Sequence, residues 1–486
     1  MAHNVGQAGM LELLNESKMR PVHYRLWLLS TGGTLFDGFS IFMLGVTLPL
    51  IIPRFQISPT VTGLIGAALV LGAVAGAVIG GPAADRLGRK TLYLIDMALL
   101  TAAAALSAIA WHAIAVLSFQ FLIGVALGID FPVSASYVSE FMPREKRGRM
   151  LVATITFQAV GMVIAAILAL AILRVIHSEL VWRYFYTCLA VSAAIFFLLR
   201  LWLPESARWY MSKGRNDKAA EVIASILPEQ KPALEKLVAE AGSEVHYVAK
   251  IAPGRKPLGM WALFTPTYLR RTILASGPWF LMDIATYGVG LFTPMILAAM
   301  HFSSDASKSA AVLGRVDADF SVAQGSGIMD AFLLVGFLIG LYVVPRFGRM
   351  RMQIVGFIGM TGGMLILAIA TVLTQGASHH VPLVFAGFIL FNLLMNMGPN
   401  STTFTLPAEL FPTHVRASGS GFAAASGKVG ATLGIFFLPL IKASFGVTAV
   451  LCVVAVVSAL GFVVTLAFSE ETGEVSLEEL HKTSST

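Results

Sequence analysis

About twelve runs of predominantly apolar residues divide this chain, and their length is the feature that most constrains its fold. A helix that spans the hydrocarbon core of a bilayer needs about 20 such residues, and each run is that long. Only 13% of the 486 residues are charged, about half the share found in soluble chains. We therefore predict an all-α membrane protein with twelve transmembrane helices.

A long polar stretch separates the first six runs from the last six. We predict a six-helix bundle at 1–203, a central loop at 204–269, a second six-helix bundle at 270–468 and a tail at 469–486. The central loop has spaced apolar residues among many charges, which indicates short amphipathic helices outside the bilayer. The first 20 residues are polar and lack the apolar core of a cleavable signal peptide.

Lysine and arginine are concentrated on one side of the predicted membrane. They follow the second, fourth, eighth and tenth runs and are frequent in the central loop, whereas the alternate connections have almost none. Because basic loops remain cytoplasmic, we predict a multi-pass protein of the cell (plasma) membrane with both termini cytoplasmic and a long outer loop from His301 to Gly327. The formal net charge of +7 belongs to these short loops, so we expect no nucleic-acid partner.

Two motifs occur once in each half of the chain. GGPAADRLGRK, from Gly80, is echoed by GLYVVPRFGRM, from Gly340, which keeps both arginines but has Pro345 in place of Asp85. SEFMPREKRG after the fourth run is echoed by AELFPTHVRA after the tenth. Because both motifs recur in the same order and on the same side of the predicted membrane, they predict two pseudo-symmetric bundles. A binding site is then expected between the bundles, near the middle of the membrane.

Polar residues inside the apolar runs are few, and ionisable residues at such positions mark functional sites. In WFLMDIATYG, Trp279, Asp283 and Tyr287 are four residues apart and share one face of a helix. The other polar candidates are Asp37, Asp130, Gln158, Asn400 and Lys428. One cation among neutral donors suits a tetrahedral oxyanion, and Asp283 would accept a hydrogen bond from a protonated substrate hydroxyl.

Each of these candidates also has a purely structural interpretation. Asp283 and Lys428 could form a fixed ion pair, Trp279 and Tyr287 could be packing aromatics, and Gln158 could join two helices. We expect Asp96 to be a helix-end partner of the arginine motif rather than a transport residue. We expect no enzymatic activity, cofactor or metal site, because the sequence has no P-loop, clustered metal ligands or nucleophile elbow.

The motifs resemble those of the major facilitator superfamily over essentially the whole chain. GPAADRLGRK is similar to the loop signature of that superfamily, while PESARWYMSKGR and ETGEVSLEEL resemble the motifs that end the two halves of sugar porters. Together, WFLMDIATYG, GIDFPVSAS, GPNSTTF and ASGKVGA resemble proton-coupled phosphate symporters. The resemblance implies the major facilitator fold and symport of inorganic phosphate with protons by alternating access.

The resemblance also implies roles for individual residues. Positions that line the phosphate site match Phe131, Gln158, Trp279, Asp283, Tyr287, Asn400 and Lys428, and positions of the proton path match Asp37 and Asp130. The chain departs from the family at Phe131, where a tyrosine is usual, and at Ser40, where a second acid is common. Residues expected to gate the cytoplasmic side, or to staple its loops, are Asp85, Arg86, Arg89, Arg147, Glu205 and Arg416.

Two other functions stay open at this point. FDGFS in the first run resembles aromatic-acid symporters, and PESARWY resembles sugar porters, so the cargo could be an organic acid or a sugar. Against sugars, the seventh run lacks the paired glutamines of those carriers. A nutrient receptor without net transport is disfavoured, because the central stretch is too short for a separate signalling domain.

Overall fold

The computed structural model describes residues 5–176, 178, 180–241, 259–290, 332–373, 381–413, 415–470 and 472. All regular secondary structure in these residues is helical. Ten helical segments are long and apolar enough to cross a membrane, and Pro266–Gly290 and the shorter apolar helix Phe332–Phe347 take the places of the predicted seventh and eighth spans. The predicted all-α fold with twelve spans is confirmed. The predicted outer loop from His301 to Gly327 lies outside the described residues.

The helices are numbered here in chain order. The first half contains α1 (Val5–Asn15), α2 (Pro21–Ser30), α3 (Gly32–Phe55), α4 (Pro59–Leu87), α5 (Arg89–Ala108), α6 (Ala113–Phe141), α7 (Arg144–Val175) and α8 (Val181–Arg200). The central loop contains α9 (Ala207–Ser212), α10 (Asn216–Ile226) and α11 (Lys231–Ala241). The second half contains α12 (Pro266–Gly290), α13 (Phe332–Phe347), α14 (Arg349–Val372), α15 (Val381–Met397), α16 (Pro399–Leu410) and α17 (Arg416–Phe468). The eleventh and twelfth spans both belong to α17, which turns at Gly446.

Two spans are interrupted within the membrane. The first consists of α2 and α3, which meet at Thr31, and the carbonyl oxygens of Leu29 and Ser30 accept hydrogen bonds from Arg200 Nε and Ser134 Oγ. The tenth span breaks at Gly398, directly before Pro399. Interrupted helices need side chains to satisfy their free backbone groups, which explains a polar interior next to these breaks.

The internal repeat is also present in the backbone. Gly88 and Gly348, at equivalent positions of the repeated motif, have φ values of 102° and 92°. A side chain is strained at such positive φ values, so glycine is required where each loop turns into the next helix. The two copies of the motif therefore share this backbone conformation at these two positions.

The two bundles touch closely along α4 and α17. A Cβ added to Gly81 would lie 2.4 Å from Ala417 O, and one added to Gly421 would lie 2.5 Å from Ala77 O. Such short distances show that the backbones of the two helices are in contact. This contact lies at the end of the molecule that carries residues 85–90, 140–149, 346–351 and 409–418, which we call the basic face.

The central loop forms short helices, as predicted, and it packs against the N-terminal helix α1. Gln7 Nε2 of α1 donates to Asn216 Oδ1 at 2.7 Å, and Gly6 leaves room for Leu237 O of α11. Sequence analysis did not predict α1, whose buried apolar residues are Met10, Leu11 and Leu14. The boundaries of the four units stay a prediction.

Candidate functional site

The centre of the candidate site is the ammonium group of Lys428, which is 5% exposed and lies between the two bundles. Its Nζ donates to Tyr287 Oη of α12 at 3.0 Å and lies 3.8 Å from Asp37 Oδ2 of α3. The same Asp37 oxygen accepts a hydrogen bond from Gln158 Nε2 of α7 at 2.5 Å. The Lys428 ammonium of the second bundle therefore contacts Asp37 of the first bundle and Tyr287 of its own bundle.

Three aromatic rings close one side of this site, and we call Phe131, Trp279 and Phe404 the aromatic wall. Their ring centroids lie 6.3 to 6.5 Å apart in edge-to-face arrangements, and Phe131 is on the first bundle while the other two are on the second. Lys428 Nζ lies 5.1 Å from the Phe131 ring centroid. Gly427 precedes Lys428 because a Cβ there would lie 2.5 Å from Trp279 Cδ1.

Asp283 is buried beside this cation without a hydrogen-bond partner at Oδ2 among the described residues. Lys428 and Asp37 both act on it electrostatically. A buried polar group without a partner costs about 1–3 kcal/mol, so this oxygen is suited to accept a donor from a bound ligand. The predicted stripe of α12 is present, since Trp279 and Tyr287 lie on either side of Asp283 and both border Lys428's position.

Two sequence candidates lie apart from these contacts. Asn400 Nδ2 donates to Asn396 Oδ1 at 2.8 Å, and among the described side chains Asn400 makes no hydrogen bond to Lys428, Asp37 or Tyr287. Asp130 is 1% exposed and lies 2.8 Å from Arg200 Nη2, while its other oxygen accepts a hydrogen bond from Ser134 Oγ. Asp130 and Asp37 thus belong to different clusters within the first bundle.

Arg200 is the principal site residue that sequence reasoning missed. Its Nη1 donates to Asp96 Oδ1 at 3.1 Å, and its guanidinium lies 4.1 Å from the Tyr93 ring centroid. The expectation that Asp96 partners the arginine motif is wrong, because helix α5 directs it towards Arg200 instead. Asp96 lies within an apolar run, so the rule for intramembrane acids could have identified it.

At the basic face, Asp85 of α4 caps the beginning of α17 in the other bundle. Its Oδ2 accepts from the backbone N–H of Ser418 at 2.9 Å and from Ser418 Oγ at 2.7 Å, and its Oδ1 accepts from the N–H of Ala417 at 3.3 Å. A carboxylate at a helix N-terminus satisfies free N–H groups and the positive end of the helix dipole. This contact joins the two bundles.

A second charged group beside it also crosses between the bundles. Glu140 Oε1 accepts from Arg89 Nη2 at 2.9 Å and from Arg416 Nη1 at 3.2 Å, and Arg89 also donates to the carbonyl oxygen of Thr413. Arg89 and Arg416 are almost completely buried. Glu140 was absent from the predicted gating set, although it lies in the repeated motif SEFMPREKRG.

The remaining gating candidates differ in their surroundings. Glu205 accepts hydrogen bonds from the backbone N–H groups of Arg89 and Lys90, and burial raises the pKa of its carboxyl. Arg147 is buried and donates to Asn15 Oδ1 at 2.7 Å. Arg86 is exposed and lies outside the charged group. The gating roles stay predictions.

Known transport proteins are similar to this chain over nearly its whole length. Residues 26–483 match the family described as "Sugar (and other) transporter". The chain is 28% identical to inorganic phosphate transporter 1-1 of Oryza sativa subsp. japonica, over 97% of this chain and 96% of that protein. It is 27% identical to the inner membrane metabolite transport protein YgcS of Escherichia coli (strain K12), over 96% of this chain and 95% of that protein.

Solved structures share the fold. The major facilitator superfamily proton:xylose symporter XylE bound to 6-bromo-6-deoxy-D-glucose is similar with a TM-score of 0.77 and 20% identity, covering 95% of this chain and 98% of that one. A double tryptophan mutant of XylE is similar with a TM-score of 0.79 and 18% identity, covering 95% and 99%. The predicted major facilitator fold is confirmed.

Proposed function

Because the chain belongs to the family of sugar (and other) transporters, we propose that it carries inorganic phosphate across the membrane together with protons, by alternating access. Membership of this family confirms the prediction of a multi-pass membrane transporter rather than an enzyme. The relatives named as inorganic phosphate transporters support phosphate as the cargo. We further propose that the membrane is the plasma membrane and that the basic face and both termini are cytoplasmic.

The observation that carries the proposal is the buried cation Lys428 between the two bundles, with the unsatisfied acid Asp283 close enough to interact with it electrostatically. An ammonium group attracts an oxyanion, and Tyr287 and Gln158 offer neutral donors beside it. The free Asp283 oxygen favours an anion that also has an O–H donor. Dihydrogen phosphate has such a donor, and sulfate does not.

The contact between Lys428 and Asp37 supplies a route for coupling to protons. The cation lies 3.8 Å from the Asp37 carboxylate. An incoming anion would compete for the same ammonium group, and a buried carboxylate that loses its cation binds a proton more readily. If the anion replaces Asp37 as the partner of Lys428, Asp37 becomes free to bind a proton. Anion binding and proton binding would therefore each favour the other.

The basic face supplies the conformational part of the proposal. Asp85 and Glu140 of the first bundle hold residues of the second, so the bundles are in contact on that side of the site. For the anion to leave on this side, these contacts must break. We propose that the Asp85 cap and the Glu140 group hold the conformation in which the basic face is closed.

An organic anion is the second candidate, and the aromatic wall favours it. Phe131 offers an apolar surface where a phosphate site would gain from a further donor. The similarity to YgcS, which is named as a metabolite transport protein, also supports this candidate. Such a substrate would place its carboxylate at Lys428 and its carbon skeleton against the wall.

Uptake into proteoliposomes tests the proposal. Purified protein would be assayed with labelled phosphate, sulfate, an aromatic carboxylate and xylose, each with and without an inward proton gradient. We expect gradient-dependent accumulation of phosphate and none of sulfate. Accumulation of the carboxylate alone would replace phosphate by the second candidate, and accumulation of xylose alone would exclude both anions. In Asp37→Asn we expect phosphate to equilibrate without gradient-driven accumulation.

A further inference from the structure

The ammonium of Lys428 lies between the rings of two aromatic residues that come from different bundles. Its Nζ is 5.1 Å from the Phe131 centroid and 5.4 Å from the Tyr287 centroid. Both distances are within the range of about 6 Å at which a cation is attracted to the face of an aromatic ring. Tyr287 also accepts a hydrogen bond from the ammonium, so its contact with Lys428 does not depend on the aromatic ring alone.

Phe131 has no polar atom with which to hold the cation. It is 4% exposed, and its other aromatic contacts are the edge-to-face contacts with Trp279 and Phe404. The attraction between its ring face and a desolvated ammonium is worth about 2 kcal/mol in other proteins. Among the described residues, this contact and the ion pair with Asp37 are the ones through which the first bundle reaches the cation.

We propose that Phe131 is a positioning residue that holds the ammonium of Lys428 by a cation–π contact and keeps it directed at the substrate site across the bundle boundary. The inference rests on the proposed function for its substrate readout, but its structural readout needs no substrate. It also explains how phenylalanine, which has no hydroxyl, can occupy position 131 of an anion site. Its ring face positions the Lys428 ammonium, whereas a tyrosine would offer a hydrogen-bond donor to the anion.

The alternative is that Phe131 only fills space. Progressive fluorination of its ring separates the two, because each fluorine withdraws charge from the ring face while the volume changes little. Phe131 would be replaced in turn by monofluoro-, difluoro- and trifluorophenylalanine through suppression of a stop codon. The same series at Phe391, a completely buried phenylalanine of α15 with no cation over its ring among the described residues, is the matched control.

Two readouts are measured for each protein, which are the melting temperature without substrate and the affinity for inorganic phosphate by calorimetry. We expect both to fall stepwise with the number of fluorines at Phe131, with a total loss of affinity of about two- to thirtyfold. The Phe391 series should show no such trend. In a Lys428→Met background the trend in melting temperature at Phe131 should disappear.

A flat Phe131 series, an equal slope at Phe391, or a slope that persists without Lys428 would each overturn the inference and leave Phe131 as a packing residue. Failure of the proposed function gives a different result. The wild-type protein would then bind no phosphate, while the melting temperatures would still fall stepwise at Phe131 and remain level at Phe391.

Discussion

Two aspartates lie near the boundary between the bundles, and their surroundings differ. The side chain of Asp85 at the basic face is 8% exposed, and its two oxygens accept hydrogen bonds from the N-terminus of α17 and from Arg89. Asp283 near the middle of the membrane is 4% exposed, and its Oδ2 accepts none from the described residues. Both aspartates lie close to charged groups. Among the described residues, both oxygens of Asp85 accept hydrogen bonds, whereas Oδ2 of Asp283 accepts none.

The difference indicates what each acid contributes. A satisfied carboxylate that joins two bundles stabilises one arrangement of them, and its loss would change the balance between conformations. An unsatisfied carboxylate contributes less to the stability of the fold, since burying it without a hydrogen-bond partner is unfavourable and offsets its attraction to the nearby cation. Its hydrogen-bonding capacity is available to a ligand. Substitution by asparagine should therefore change the balance between conformations at Asp85 and the affinity for the ligand at Asp283.

The largest expected effect is at Lys428, the cation on which the central site depends. Lys428→Ala should weaken phosphate binding about 100-fold, because the anion loses a charged donor and faces two carboxylates instead. Lys428→Arg keeps the charge and should bind more tightly than the alanine variant. Calorimetry on both variants measures this, with a melting curve to confirm folding. Wild-type affinity in Lys428→Ala would make Lys428 a structural residue.

Asp283→Asn should have the next largest effect and should affect the ligand alone. We expect phosphate affinity to fall about thirtyfold, through loss of a charged acceptor for the substrate hydroxyl. The melting temperature of the empty protein should stay the same or rise, because no hydrogen bond to Oδ2 is lost. A variant with normal affinity and lower stability would show that Asp283 has a structural role after all.

Phe131→Tyr adds a hydroxyl to the wall with little change in ring volume. For a phosphate carrier we expect about tenfold tighter binding, since a hydrogen bond to a charged partner is worth about 1.5–3 kcal/mol before desolvation. The gain should disappear when Lys428 is also replaced by alanine. Weaker binding of an aromatic carboxylate by the same variant would instead support the organic-anion candidate. Unchanged phosphate affinity would mean that the added hydroxyl does not reach the anion.

Asp85→Asn is the counterpart of Asp283→Asn and should have the smallest effect on binding. Asparagine keeps one acceptor oxygen but loses the charge that faces the N-terminus of α17 and Arg89, which should shift the ratio of closed to open basic faces by about fivefold, corresponding to about 1 kcal/mol. Distances between spin labels at the exposed Leu87 and Phe347, in a cysteine-free background, measure this ratio. An unchanged distance distribution would contradict a gating role and leave Asp85 as a fixed loop contact.

The parts of the site that could be predicted depend on local regularity. Residues four apart on one helix share a face whatever surrounds the helix, so Trp279, Asp283 and Tyr287 could be grouped from the sequence. The repeated loop could be recognised for the same reason, because Gly88 and Gly348 are required by backbone geometry. The spans followed from their length and composition.

The parts that were missed depend on which helices become neighbours. Arg200 follows an apolar run and has the position of a basic anchor, yet the fold places it between Asp96 and Asp130. No periodicity in the sequence encodes these two ion pairs, because each joins side chains of different helices whose relative orientation is set by packing.

The central claim is that a bound anion replaces Asp37 as the partner of Lys428, and proton uptake on binding tests it most directly. Phosphate would be titrated into the purified protein near neutral pH, in buffers with different ionisation enthalpies, and the net proton uptake derived for wild type and Asp37→Asn. Phosphate's own protonation contributes equally to both, so the difference reports Asp37. We predict greater proton uptake by the wild-type protein; equal uptake by the two proteins, with phosphate bound by both, would contradict the exchange.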